Sequence, residues 1–213
     1  MPTPTPANAT DADQLAALRD RKKALRKQLR QRRRQLSPLQ QRQAARALFR
    51  RVACTPAFRF SSSIAFTLPR DGEISPQRLL EAALRRGKRC YLPVMSRFGA
   101  DRLRFRRVRK GSALSSRNAM RIPEPTRSAL CPPRALSLVL LPLVGFDARC
   151  NRLGMGKGYY DQTFAFLRQS RRRPLLIGLA HECQRVEQLE TNVWDLPLHA
   201  IATDGAWYKV GTP

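Results

Sequence analysis

The sequence predicts an α/β fold: an open, mostly parallel sheet with helices on both faces, in a three-layer α/β/α arrangement and a single domain. Apolar stretches typical of buried strands alternate along the chain with stretches typical of helices. SLVLLPLVGF (residues 137–146) is apolar on both faces, as in a central parallel strand. The chain shows no internal repeat or linker, so we expect one domain over 13–213 after a disordered tail, residues 1–12.

The first helix is predicted over about residues 13–36, where leucines recur at helical spacing. The apolar stripe of this helix would pass through two basic residues, Lys22 and Arg32. A charge in an apolar stripe needs a partner or a route to water. Arg26 lies one helical turn after Lys22. The helix therefore either presents Lys22 and Arg26 together from its inner edge or lets both side chains reach solvent.

Two further helices are predicted from their capping residues. Ser37 as cap and Gln40 as capping-box partner predict a helix that ends near Ala53. SPQRLLEAALRRG repeats the pattern, with Ser75 as cap and Pro76 at the first helical position. The last helix is predicted in YYDQTFAFLRQS (159–170), and the other strands in SSSIAFTL (61–68), KRCYLPVM (88–95), LRFRRVR (103–109, an edge or half-exposed strand), PLLIGLAH (174–181), AIATD (200–204) and AWYKV (206–210).

The composition indicates a basic protein with reduced cysteines. Lys+Arg number 41 against 15 Asp+Glu, a net charge of +26 that attracts polyanions such as nucleic acid, acidic membranes or phosphorylated metabolites. Five cysteines without a CxxC pair disfavour a disulfide framework or a zinc site. No apolar run approaches the ~20 residues of a membrane helix, and the N-terminus lacks a secretory signal. We therefore expect a soluble, cytoplasmic protein.

The run NRLGMGKGYYD (residues 151–161) predicts an anion site. It follows a buried strand and precedes a helix, and ligands of parallel sheets bind beyond the carboxyl ends of the strands. Its three alternating glycines let the backbone approach a ligand, and the exposed amides and helix N-terminus attract phosphate. Arg152 and Lys157 add full positive charges, and Asp161 could hold a magnesium ion on the same phosphates.

Two common phosphate-binding motifs do not fit this spacing. A Walker A loop requires glycine where Asn151 stands, and Ser or Thr where Gly158 follows Lys157. A dinucleotide fingerprint requires glycine at Tyr159. On the pattern alone, a glycine-rich turn without a ligand remains the alternative.

The wider stretch PLVGFDARCNRLGMGKGYYD resembles the signature of the 5-formyltetrahydrofolate cyclo-ligase family, also called methenyltetrahydrofolate synthetase. The basic KKALRKQLRQRRRQLS, the stretch DGEISPQRLLEAALRRGKRCYLPVM, the IPEP connection and WDLPLHAIATD follow in the order and spacing of that family. The resemblance covers roughly residues 15–208. No single motif is specific, but the set together is.

The resemblance implies an enzyme that uses ATP and Mg²⁺ to convert 5-formyltetrahydrofolate, with or without a polyglutamate tail, into 5,10-methenyltetrahydrofolate. In this family ATP phosphorylates the formyl oxygen, N10 attacks the activated carbon, and phosphate leaves. An amide oxygen does not leave unaided, and phosphoryl transfer depends on positioning and charge neutralisation. A monomer is expected, with no membrane or nucleic acid as main partner.

Carried over position by position, the resemblance assigns a set of ligand-binding residues. ATP binding falls on Lys22, Arg26, Arg152, Leu153, Gly154, Met155, Gly156, Lys157, Gly158, Tyr159 and Tyr160. Folate binding falls on Leu68, Glu73, Met155, Gly156, Lys157, Gly158 and Tyr159, and magnesium on Asp161 and Asp195. From the residues alone, a turn acid is the favoured interpretation of Glu73, whereas Asp195 is equally readable as a surface-loop residue.

Cys150 departs from the family pattern, which usually has glycine there, so this turn is expected to differ locally. Its thiol is either reactive or a buried space-filler. Two rival functions remain open. The segment RKKALRKQLRQRRR could track nucleic-acid phosphates, although no recognised nucleic-acid motif is present. The chain could also be an inactive folate-binding paralogue, against which the intact Arg152, Lys157, Asp161 and Asp195 argue.

Overall fold

The computed structural model describes residues 8–95, 102–115, 124–125, 128–168, 174–192 and 194–210. The helices are α1 (Asn8–Arg34), α2 (Pro38–Ala53), α3 (Pro56–Phe60), α4 (Gln77–Arg85) and α5 (Tyr159–Thr163). The strands are β1 (Ser63–Ala65), β2 (Arg89–Met95), β3 (Leu103–Val108), β4 (Leu114–Ser115), β5 (Glu124–Pro125), β6 (Leu130–Cys131), β7 (Leu138–Pro142), β8 (Gly145–Phe146), β9 (Arg152–Leu153), β10 (Leu175–Leu179), β11 (Ala200–Ala202) and β12 (Trp207–Lys209).

The described strands form an eight-stranded sheet in the order β12-β11-β10-β7-β1-β2-β3-β6. The central strands β11, β10, β7, β1 and β2 run parallel to one another. Antiparallel pairing at both margins, β11 with β12 and β2 with β3, makes the sheet mixed. Two small hairpins, β4–β5 and β8–β9, stand outside it. The predicted α/β class with a mostly parallel sheet is confirmed.

Helices cover both faces because the central strand β7 is apolar on both. Leu138 and Leu140 point into the core cluster beneath α2, α3 and α4. Val139 and Leu141 point into the opposite cluster, where Phe164 follows α5. Successive residues of a strand face opposite sides, so an uninterrupted apolar run requires a cover on each side. This is the physical basis of the three layers.

Helix α1 packs on the β8–β9 hairpin. Leu29 is fully buried there against Val144, Leu153 and Leu189. The predicted stripe position at Arg32 is wrong: Arg32 is exposed, and the adjacent Arg33 is fully buried. Counting four residues on from Leu29 reaches Arg33, which lies on the same helical face.

Several predicted element boundaries differ from the structure. Helix α1 begins at Asn8 and not near residue 13, because after Pro6 no proline or glycine interrupts the run. Residues 1–7 of the predicted tail lie outside the described residues. The first strand, predicted over 61–68, is limited to Ser63–Ala65. Strand β3 is half-exposed as predicted, but it is not an edge strand because β6 pairs with its outer side.

The capping prediction is confirmed for α2 and wrong for α4. Ser37 Oγ accepts from the Gln40 amide at 3.2 Å, and Gln40 Oε1 accepts from the Ser37 amide at 2.8 Å. Helix α4 instead begins at Gln77 with Pro76 in the cap position. Ser75 Oγ accepts from the Gln77 amide, two residues on, at 3.3 Å. Such a local serine turn competes with capping and delays the helix.

The last predicted helix, 159–170, is one short helix followed by a 3-10 turn over Ala165–Arg168. Phe164 leaves helical geometry with φ −108°, and its buried ring lies 5.8 Å from that of Phe105. The packing of Phe164 thus ends the helix that the sequence periodicity predicts. Positions 169–170 of the predicted helix lie outside the described residues. Across the part of the chain that the structure describes, no helix has the length and apolarity that crossing a bilayer demands.

Replacing Gly145 with alanine tests how tightly α1 sits on the hairpin. A Cβ at this position would overlap the Leu29 Cδ1 methyl. We expect Gly145→Ala to lower the free energy of unfolding by about 1–3 kcal/mol through overpacking. The measurement is a urea unfolding curve. In a Leu29→Ala background, which clears the space, the same change should cost clearly less. Equal costs in both backgrounds would contradict this account of the contact.

Candidate active site

The glycine run forms an exposed loop between β9 and α5. Met155, Gly156 and Lys157 are exposed at its tip. Gly156 has φ +92° and Gly158 has φ +67°, and Gly158 stands in the cap position of α5. Residues with a Cβ avoid this left-handed region, so the loop needs glycine at both positions. The result is an open backbone segment directly before a helix N-terminus.

Arg152 and Asp161 join the two ends of this loop. Arg152 Nη2 lies 2.5 Å from Asp161 Oδ1, which also accepts from the Leu196 amide at 2.9 Å. The Arg152 side chain is only 5% exposed. Its Nε is buried and has no hydrogen-bond partner among the described residues. A buried N–H group without a partner is costly, and an anionic oxygen at the loop would satisfy it.

Helix α1 brings two more cations to the loop. Arg26 Nε donates to the Gly154 carbonyl at 2.8 Å, and its guanidinium stands 3.4 Å from where a Cβ on Gly156 would be. Lys22 Nζ lies 3.5 Å from Asp195 Oδ2. Burial lowers the pKa of Arg26, and the charge of Asp195 opposes that shift. The prediction that Lys22 and Arg26 point inward together is therefore confirmed, and the solvent-facing alternative is wrong.

Asp195 is built into the loop that follows Leu189, as well as paired with α1. Its Oδ2 accepts from the Asn192 amide at 2.8 Å, in addition to facing Lys22. Asp161 and Asp195 both border the glycine loop, one through Arg152 and the other through α1. The structure thus brings together the cations and both acids that the sequence singled out.

Glu73 approaches the same loop from the turn after β1. Its Oε2 accepts from the Arg70 amide at 3.1 Å, so the turn-acid interpretation is correct as far as it goes. Burial raises the pKa of Glu73, and the Arg33 charge opposes the shift. Burial also raises the pKa of Tyr160, and the Glu73 carboxylate raises it further. Glu73 therefore faces the start of α5, while Leu68 packs half-buried against the core.

Arg33 is a residue of this region that the sequence prediction missed. Its fully buried guanidinium donates from Nε to the Asp71 carbonyl at 2.8 Å and from Nη2 to Asp71 Oδ2 at 3.0 Å. Nη2 also lies 3.6 Å from Glu73 Oε1, and Nη1 donates to the Leu143 carbonyl at 3.4 Å. The one signal available in the sequence was its four-residue spacing from Leu29.

Comparison with known proteins decides the family. Residues 19–204 match the profile of the 5-formyltetrahydrofolate cyclo-ligase family. The chain belongs to this family. It is 38% identical over 177 residues to the 5-formyltetrahydrofolate cyclo-ligase of Escherichia coli K12, covering 82% of this chain and 96% of that relative. The Haemophilus influenzae cyclo-ligase is 34% identical over 183 residues, which cover 85% of this chain and 96% of that relative. The chain is accordingly an enzyme of the ligase class.

Solved structures agree with this assignment. The 5,10-methenyltetrahydrofolate synthetase of Aquifex aeolicus superposes with a TM-score of 0.77 at 27% identity, covering 90% of this chain and 94% of that one. The synthetase of Mycoplasma pneumoniae gives a TM-score of 0.67 at 27% identity, with coverage of 86% and 98%. The cyclo-ligase fold is thus shared over nearly the whole chain.

The acids of this cyclo-ligase suit a metal that arrives with its substrate. No cluster of three or more His, Cys, Asp or Glu side chains that could hold a metal occurs in the described residues. Mg²⁺ commonly binds through one or two carboxylates together with substrate phosphates. Asp161 and Asp195 supply two carboxylates beside the glycine loop. The two carboxylates therefore fit a magnesium ion that is also bound by substrate phosphates.

Cys150 adopts a left-handed backbone conformation that favours glycine. It has φ +64° and is 2% exposed. Asp147 secures the turn by accepting from the Arg149 and Asn151 amides, each at 3.0 Å. Burial, followed by the Asp147 charge, raises the pKa of Cys150 to about 11, so the thiol is protonated and shielded. The space-filling interpretation is supported, and all five cysteines carry free thiols, as predicted.

Two substitutions at Cys150 test the left-handed backbone of the turn. Both remove the buried thiol, but only glycine relieves the strain at φ +64°. We expect the free energy of unfolding of Cys150→Gly to exceed that of Cys150→Ala by about 1 kcal/mol. Urea unfolding curves measure both values. Cys183, which lies in a 3-10 turn, is the matched control. At this position we expect Cys183→Ala to be more stable than Cys183→Gly. The same order at both sites would contradict the proposed strain.

Proposed function

We propose that this chain converts 5-formyltetrahydrofolate into 5,10-methenyltetrahydrofolate, with ATP as co-substrate and with release of ADP and phosphate. Membership of the cyclo-ligase family and the names of its relatives support the overall conversion. The observation that supports the use of a nucleotide is local. Exposed loop amides, three cations and an unpartnered buried Arg152 Nε meet at one point. Such a place favours a polyphosphate.

In this proposal the ATP phosphates lie along Arg152–Tyr160, with Lys22 and Arg26 reaching them from α1. Arg26 already holds the loop through the Gly154 carbonyl, so its charge is fixed before ligand arrives. Lys157 is exposed and free to close over a phosphate. Fixed donors that neutralise developing charge are the main requirement for phosphoryl transfer.

Asp161 and Asp195 would hold Mg²⁺ together with the ATP phosphates. The ion, when bound, neutralises phosphate charge and polarises the phosphoryl group. Arg152 and Lys22 orient the two carboxylates before the ligands arrive.

Folate would bind on the Glu73 and Leu68 side of the loop, sharing Met155–Tyr159 with ATP. Leu68 offers an apolar wall, and the Glu73 carboxylate accepts hydrogen bonds from ring N–H groups of the pterin. The formyl oxygen takes the γ-phosphoryl group of ATP and ADP leaves. N10 then attacks the formyl carbon and the ring closes. N10 loses its proton, and the C–O bond breaks as phosphate departs. The loop serves both ligands, which places donor and acceptor within reach of each other.

All residues of the proposed site come from one chain, so a monomer suffices. Five free thiols suit the cytoplasm, which is the compartment that we propose. The excess of positive charge on the outer side of α1 gives the nucleic-acid alternative its one structural support, since Arg19, Lys23 and Lys27 are exposed there.

The proposed reaction can be measured directly. Purified chain with ATP, Mg²⁺ and 5-formyltetrahydrofolate should produce the rise in near-ultraviolet absorbance that the methenyl product gives, and omission of ATP or addition of EDTA should abolish it. A cyclo-ligase of known activity serves as the positive control. A flat trace beside an active control would refute the proposal. Folate binding without turnover would identify an inactive paralogue, and salt-sensitive RNA binding without turnover would favour the nucleic-acid alternative.

Charge removal in the loop tests the nucleotide assignment. Lys157→Ala and Arg152→Ala should each raise KM for ATP about tenfold or more, the effect of losing a charge-assisted hydrogen bond. Lys157 is exposed, so its variant should unfold at the wild-type urea midpoint. Arg42→Ala, at an exposed position of α2, is the matched control for loss of one positive charge. Wild-type ATP dependence in both loop variants would disprove the assigned roles.

A further inference from the structure

Three arginines of α1 converge on one aspartate in the turn after β1. Arg30 Nε lies 2.7 Å from Asp71 Oδ2, Arg34 Nε pairs with Oδ1, and Arg33 Nη2 lies 3.0 Å from Oδ2. Burial alone would raise the pKa of Asp71, but hydrogen bonds from Arg30, Arg34 and Arg33 lower it to about 2. Asp71 is thus more than neutralised by its neighbours.

The three arginines differ in what else they touch. Arg30 and Arg34 are partly exposed, whereas Arg33 is fully buried. Only Arg33 continues to Glu73, at 3.6 Å from Oε1. Arg30 and Arg34 already neutralise the carboxylate of Asp71. The buried positive charge of Arg33 can therefore pair with the carboxylate of Glu73. Without a carboxylate to neutralise it, the buried Arg33 guanidinium would destabilise the fold.

The turn itself is shaped for this contact. Asp71 and Gly72 both have positive φ, at 52° and 76°. A Cβ on Gly72 would stand 3.0 Å from the Arg33 carbonyl oxygen, so the turn backbone lies directly against α1. Gln41 Nε2 donates to the carbonyls of both Arg33 and Gly72, at 3.3 and 3.2 Å. Glu73, which ends the turn, therefore has its position set by α1 and the start of α2.

We propose that Arg33 is a positioning residue for the folate site, which orients the Glu73 carboxylate to accept hydrogen bonds from the pterin. The inference rests on the proposed function, since it takes Glu73 as a folate contact. It adds a residue that acts through Glu73. It also makes α1 common to both ligands, with Lys22 and Arg26 facing the nucleotide and Arg33 supporting the folate contact.

The ionisation of Glu73 should depend on Arg33. The charged and titratable groups that face Glu73 are Arg33 from α1, Arg70 and Asp71 from its own turn, and Tyr160 from α5. Burial raises the pKa of Glu73, and Arg33 is the foremost group that opposes the rise. Without the Arg33 charge, Glu73 takes up its proton at higher pH. Folate binding would then weaken at a higher pH on acidification than in the wild type.

The test compares Arg33→Lys and Arg33→Met with Arg34→Ala, which loses a contact to Asp71 but none to Glu73. Steady-state kinetics of the full chain give KM for each substrate. We expect Arg33→Lys to raise KM for 5-formyltetrahydrofolate about tenfold, with KM for ATP within about twofold of the wild type. Arg34→Ala should leave both values near wild type. Arg33→Met should shift the acid limb of the folate KM profile to higher pH. Should Arg33→Met fail to fold, Arg33→Lys decides alone.

A double-mutant cycle separates positioning from general structural support. If Arg33 acts through Glu73, then adding Arg33→Lys to Glu73→Gln should raise KM for folate little further. Additive effects, or a folate KM in Arg33→Lys equal to that of Arg34→Ala, would overturn the proposal and leave the enzymatic function intact. A wild-type chain that neither turns over nor binds 5-formyltetrahydrofolate in calorimetry would overturn both.

Discussion

Leu29 of α1 is fully buried over the β8–β9 hairpin, in the space left by the absent side chain of Gly145. This contact sets the distance between α1 and the hairpin, and with it the position of each charged residue on the inner face of the helix. One turn before Leu29, Arg26 reaches the Gly154 carbonyl. One turn after it, Arg33 reaches the turn at Asp71. Because a helix is rigid over a few turns, one apolar contact places cations at two separate parts of the site.

Near the glycine loop, the carboxylates of the protein are paired with positive side chains. Each acid near the glycine loop is already bound by at least one cation: Asp161 by Arg152, Asp195 by Lys22, Asp71 by three arginines. These ion pairs orient the acids without a ligand, and under the proposed function the remaining donors are available to phosphate oxygens. Preorganised charge of this kind costs no rearrangement during the reaction.

The features that follow from local pattern were predictable. The two-sided apolar run of β7 predicted a central strand, and the Ser37–Gln40 spacing predicted the cap of α2. The predictions that failed are those in which a neighbouring group competed. The Ser75 hydroxyl accepts a hydrogen bond from the Gln77 amide in a local turn, so Ser75 does not cap α4. Phe164 left the helix because its ring is buried against Phe105.

The sequence by itself determined the α/β class and the open glycine loop, and it singled out Lys22 and Arg26 as a pair that faces either inward or solvent. Those depend on strand periodicity, on the freedom of glycine at positive φ, and on charges that interrupt an apolar stripe, all of which are local. Only the tertiary structure decided that Arg33 is buried, since its partners Asp71 and Leu143 lie 38 and 110 positions away. A buried charge is tolerated only where distant parts of the chain supply its partners, and periodicity in one helix carries no information about them.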